Sequence, residues 1–121
     1  MSHQLIKETT QRAEEYFSCA QEELFKPEED VVNYMVCKCA YRAAYNYLTV
    51  YLLNNKVEVH ATESLENIVE ECKKINPVFN ELHLDLLYHP LDEDVWMDLE
   101  TARKFMDLAE QTKELIESIK P

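Results

Sequence analysis

From Thr9 to Leu24 the apolar residues Ala13, Tyr16, Phe17, Ala20 and Leu24 fall three and four positions apart, with glutamates opposite. That period marks a helix that buries one face. The run "KPEEDVVNY" then offers a helix start, because Pro27 suits a first turn and Glu28, Glu29 and Asp30 complement the positive end of a helix dipole. The pattern carries this second helix to about Asn54, a length of roughly 25 residues or about 38 Å. Thr62 is placed to cap a third helix, whose stripe Leu65, Ile68, Val69 and Cys72 ends at Lys73 and Lys74. Asn76 and Pro77 form a cap and first-turn pair for a fourth, carrying Val78, Leu82 and Leu86 with Phe79 beside them; Pro90 stops it at His89. Asp92 or Asp94 can start a fifth, which buries Leu99, Ala102, Phe105, Met106, Ala109, Leu115, Ile116 and Ile119. The expectation is all-α: an up-and-down bundle of about five helices around a four-helix-bundle core, one domain over residues 1–121.

The second helix is apolar nearly all round, which in a bundle means burial on more than one side. Val32, Val36, Cys37, Ala40, Ala43, Ala44, Tyr47, Leu48 and Tyr51 form its broad core face. Opposite them Tyr34, Lys38, Tyr41, Arg42, Tyr45 and Thr49 form a stripe of aromatic and basic groups. Tyrosine and arginine are enriched at interface centres, so the stripe predicts a surface for a partner or for a second copy, and hence a homodimer. A neighbouring helix covering this side would instead leave the hydroxyls and Lys38 at the bundle rim. Stacking of nucleobases is a third, minor use of such a stripe.

Charge narrows these options. The net charge is −12, which repels a phosphate backbone and makes nucleic acid an unfavourable partner. Yet residues 31–57 hold Lys38, Arg42 and Lys56 without one Asp or Glu, so all 24 acids lie elsewhere. The chain has no glycine, which removes the P-loop and the dinucleotide fingerprint and disfavours tight hairpins. Asn54 and Asn55 are then the residues expected to supply a left-handed turn. Cys37 and Cys39, two apart on a helix, point about 200° from each other and cannot share a bond or a metal. With no signal-like apolar core in "MSHQLIKETT", all four cysteines read as buried, reduced thiols in a cytoplasmic protein. No apolar run approaches the ~18 residues of a membrane span.

The run "AAYNYLTVYLL", residues 43–53, resembles the HEPN family of small prokaryotic helical domains, with Ala43, Ala44, Tyr47, Leu48, Tyr51 and Leu52 on its apolar frame. "ESLENIVEECKKINPVF", "LLYHPLD" and "ETARKFMDLAEQTKELI" continue the similarity over most of the chain beyond residue 30. The resemblance implies a five-helix bundle that dimerises, and either ribonuclease activity or a nucleotidyltransferase partner in a toxin-antitoxin pair. The family's nucleases carry an arginine followed four to six residues later by a histidine. Here none of Arg12, Arg42 and Arg103 is followed in that way by His3, His60, His83 or His89, and the junction reads Tyr88, His89, Pro90. Tyr45 and Thr49 also stand where the family has a Glu and a second Lys. The resemblance therefore implies a non-catalytic member, the alternatives being a divergent ribonuclease or a small-molecule or nucleotide binder.

One other cluster carries candidate chemistry. In "DLLYHPLDED" Asp85 and His89 are four apart, and with Asp92 or Asp94 they could form a metal or proton-transfer site. Helix punctuation accounts for the same residues: a histidine at a C-terminus, a proline stop and an acidic restart. His83 and His89 sit about 120° apart on a helix, and Ser18, Ser64 and Ser118 lack nucleophile-like surroundings. Trp96 beside Met97 reads as a core anchor or a pocket wall. The sequence thus predicts no catalytic residue, no cofactor and no firm metal site.

Overall fold

The computed structural model describes residues 2–60, 62–88 and 98–119. Its four α-helices are α1 (Ser2–Leu24), α2 (Asn33–Asn54), α3 (Leu65–Ile75) and α4 (Leu99–Ser118), with short 3-10 turns at Glu28–Asp30, Pro77–Glu81 and Asp85–Tyr88. The class is all-α, as the periodicity predicts; among the described residues the number of α-helices is four.

The helix α1 starts earlier than Thr9 because its buried stripe continues backwards. Thr9 is buried, Ile6 is half-buried, and Thr9 and Thr10 hydroxyls donate to the carbonyls of Leu5 and Ile6. The helix α2 starts later than Pro27. Val31 and Val32 are extended, so Glu28, Glu29 and Asp30 form a separate 3-10 turn rather than a first helical turn. Val32 is the residue before α2 and supplies no side-chain cap. The Glu23 carboxylate of α1 accepts its N–H at 2.9 Å instead. At the far end of α2, Val57 N–H bonds to Leu52 and Lys56 N–H to Leu53, a Schellman closure with Lys56 at φ 64°. The left-handed residue is therefore Lys56, not Asn54 or Asn55, because α2 continues through Asn54 and the closure needs that geometry one residue past Asn55.

The third helix keeps its predicted stripe, with Leu65, Ile68, Val69 and Cys72 all buried. Its cap is Ser64, whose Oγ accepts from Asn67 N–H at 3.1 Å, and not Thr62. The predicted fourth α-helix is replaced by the two 3-10 turns, and it buries Phe79, Leu82, Leu84 and Leu87 while Leu86 is exposed. Asn76 does cap the first of these turns, through Val78 N–H. The last helix is capped by Asp98, whose carboxylate accepts from Glu100 N–H at 2.8 Å. The proposed starts at Asp92 and Asp94 lie outside the described residues.

Contacts order the bundle. Glu23 meets Val32, Tyr16 meets Arg42 and Phe17 meets Tyr47, so α1 and α2 are antiparallel. Glu28 pairs with Arg103 near the start of α4, and Lys113 lies over Phe17, so α4 is also antiparallel to α1. The third helix and the 3-10 turns form the return limb. Packing centres on α2, against α1 on one side and α4 on the other. Fully buried alanines on all three helices, Ala13, Ala20, Ala40, Ala43, Ala44, Ala102 and Ala109, permit close approach, and Leu48, Leu52 and Phe105 fill the remaining space. Val32, predicted in the core, is 50% exposed because it precedes the helix. Thr112 is buried within an apolar face, its hydroxyl satisfied by the Leu108 carbonyl.

Candidate functional site

The six stripe residues of α2 divide between two surfaces. Tyr34 is exposed and Lys38 and Tyr41 are half-buried along the first half of the helix. Arg42 instead turns to α1, its guanidinium 5.6 Å from the Tyr16 ring. Tyr45 turns to the segment after α2 and donates its hydroxyl to the Glu63 carbonyl at 2.8 Å, while its ring lies 6.2 Å from Tyr41. Thr49 is half-buried and bonds back to the Tyr45 carbonyl. The later half of the stripe is thus engaged within the chain.

This engagement builds a groove of about 390 Å³ between α1, α2 and residues 59–60. Arg12, Tyr16, Arg42, Asn46 and His60 supply its polar wall and Leu5, Leu53 and Val59 its apolar one. Among the described residues no Asp or Glu lines it. Neither Arg12 nor Arg42 makes an ion pair among the described residues, whereas Lys26, Lys73, Lys74, Arg103, Lys104 and Lys113 do. Burial raises the Tyr41 phenol, and burial with the charges of Tyr41 and Glu63 raises Tyr45. Both therefore remain neutral hydrogen-bonding groups near pH 7. Two guanidinium groups on this wall give the groove the chemistry that recognises anions.

A second surface lies at the α1–α2 corner. Phe25, just past α1, is 80% exposed, and Val32, Tyr34 and Met35 are exposed around the start of α2. The Glu23–Val32 hydrogen bond holds the corner together, and Lys26 binds the same carboxylate at 3.0 Å. Residues 25 and 35 escape a helix-period reading because they stand where the pattern breaks, although an apolar residue between Leu24 and Pro27 is itself a signal. Arg12 and His60 were legible only as an isolated arginine and histidine.

Asp85 is exposed in the last 3-10 turn. His89 and Asp92 lie outside the described residues, as do Asp94, Trp96 and Met97. Among the described residues no group of three or more His, Cys, Asp and Glu side chains is placed to hold a metal. The Tyr88 phenol is pushed up to about 12, by burial first and then by the negative charges of Asp85, Glu66 and Glu70. Among the described residues no helix is long and apolar enough to cross a membrane. No family model matches the chain, and no curated protein or solved structure matches it significantly.

Proposed function

We propose that this chain is a non-catalytic helical interaction domain that pairs with a second copy of itself through the α1–α2 corner and the first half of α2. The observation that carries the reading is the exposed apolar group at that corner, Phe25, Val32, Tyr34 and Met35, continuous in sequence with Lys38 and Tyr41. Exposed large apolar side chains at one corner of a fold favour association. A two-fold pair would bring each copy's corner against the other's, with acidic Glu29 and Asp30 in the connection and basic Lys38 in α2 available to pair across it. Arg42, Tyr45 and Thr49, which contact Tyr16, Glu63 and the preceding helical turn, brace the later half of the same stripe. The HEPN-like pattern points the same way and adds a nucleotidyltransferase as the class of heterologous partner.

Phe25→Glu combined with Met35→Glu changes exposed positions only. The double variant should run as a monomer in sizing with light scattering, while the unchanged chain runs as a dimer. A monomeric unchanged chain, or a variant that still dimerises, refutes the pairing.

The carboxylate-free groove favours a second reading, a binder of small organic anions such as nucleotides. It predicts that 1-naphthyl phosphate raises the unfolding temperature of the wild-type chain but not of the Arg12→Gln, Arg42→Gln double variant. An equal response from both chains removes it.

A further inference from the structure

We propose that Cys19 and Cys39 are a disulfide-forming pair, oxidised by a small neutral hydroperoxide to a covalent tie between α1 and α2. The Cys39 thiol donates to Cys19 Sγ at 2.9 Å. The two residues come from different helices, and the contacts on either side, Glu23 with Val32 and Tyr16 with Arg42, fix that register. Movement of under about 1 Å separates this contact from a covalent S–S bond. The other thiols sit apart from this contact: Cys72 lies beside the Leu48 carbonyl, at 3.9 Å, and Cys37 is on a different face of α2 from Cys39.

Access is unequal within the pair. Cys19 is half-buried and lines an open groove along α1 with Glu15, Ser18 and Glu22, whereas Cys39 is buried. Those carboxylates repel anionic oxidants and leave a neutral peroxide as the species that reaches the sulfur. Burial first, and then the contact with Cys19, hold the Cys39 thiol up at about 12, so it waits in the protonated form.

The chemistry closes in two steps. Cys19 gives up its thiol proton as its Sγ attacks one oxygen of the peroxide; the S–O bond forms, the O–O bond breaks, and the departing hydroxide takes that proton as water, giving the sulfenic acid. Cys39 Sγ then attacks Cys19 Sγ; the S–S bond forms, the S–O bond breaks, and the departing hydroxide takes the Cys39 proton as a second water. The two sulfurs together lose two electrons and the hydroperoxide gains two. The second step is intramolecular between groups already in contact, which favours it over capture of the sulfenic acid by a thiol of another chain. The product closes a loop through the α1–α2 corner. The inference stands whether or not that corner pairs with a second copy.

The test treats the fully reduced chain with hydrogen peroxide, then measures intact mass, free thiols after denaturation, and a non-reducing peptide map. The expected result is a loss of two hydrogens, a fall from four free thiols to two, and a peptide linking Cys19 to Cys39. Cys39→Ser should abolish the link and leave a dimedone-trapped sulfenic acid on Cys19, and Cys72→Ser should change nothing. The map of the wild-type chain decides the matter even if a serine variant folds poorly. Oxygen added at Cys19 with no linked peptide, links only between chains, or four thiols surviving would each overturn the proposal.

Discussion

Replacing Glu23 by alanine should destabilise the fold far more than a surface glutamate normally would. The residue is 6% exposed, and its carboxylate accepts two bonds, from Val32 N–H at 2.9 Å and from Lys26 Nζ at 3.0 Å. The first bond satisfies an amide at the start of α2 that has no side-chain cap of its own. Losing a charged acceptor there costs about 1.5–3 kcal/mol. The Lys26 ammonium is half-exposed, and screening limits that pair to under ~1 kcal/mol. The total is about 2–3 kcal/mol, equivalent to a fall of roughly 6–15 °C in Tm for a chain of this size. Glu23→Gln keeps an acceptor and loses the charge, so its cost is smaller, about 1 kcal/mol. The Val32 amide bond and then the Lys26 bond lower the Glu23 carboxyl below its ordinary 4.5, against the opposing effect of burial. A lowered folded-state value means that the stabilisation is complete above the unfolded value and is lost as pH falls through the folded one. Urea unfolding followed by circular dichroism at pH 7 and at steps below pH 4.5 measures both effects. An alanine variant with the wild-type midpoint at pH 7, or a wild-type to Gln gap that does not close in acid, would refute the role given to Glu23.

Two further substitutions test the return limb. Phe79 is fully buried with its ring 4.8 Å from Tyr51, so Phe79→Ala should cost about 3–5 kcal/mol in the same urea assay; a loss under ~1 kcal/mol would mean that the 3-10 segment is not part of the core. Ser64→Ala should cost about 1 kcal/mol by removing the α3 cap, and Thr62→Ala should stay within ~0.5 kcal/mol. Reversal of that order would return the cap to Thr62.

The helices were legible where one period had no competitor. In α3 the four buried positions, the two closing lysines and the break at Asn76 and Pro77 all agree, and the structure keeps the whole stripe. Residues 77–88 offered apolar groups at 78, 79, 82, 84, 86 and 87, enough to satisfy a helical stripe in more than one register. Which leucines go inward is set there by packing on α2 and α3, which no local pattern contains. The stripe on α2 was visible as a set of residue types, but its division was not, because the partners of Arg42 and Tyr45 are Tyr16 and Glu63. The thiol pair was nearer to legible. Cys19 and Cys39 lie ten residues on either side of Glu29, the middle of the connection between two antiparallel helices. That symmetry places them at the same height in the hairpin.

Lys56 shows what the absence of glycine does to this chain. Its φ of 64° puts a side chain where glycine is the usual choice, at a local strain on the order of 1 kcal/mol. Glycine there would relieve that strain and also widen the unfolded ensemble, by roughly 0.5–1 kcal/mol in the opposite sense. At this position the two effects nearly cancel, so the lysine is thermodynamically close to neutral. The constraint lies in what the sequence can become. A chain that closes α2 on a lysine has a narrow repertoire of turns, and a new hairpin or phosphate-cradling loop would require glycine first. Its routes of divergence run instead through the surfaces of the helices it already has.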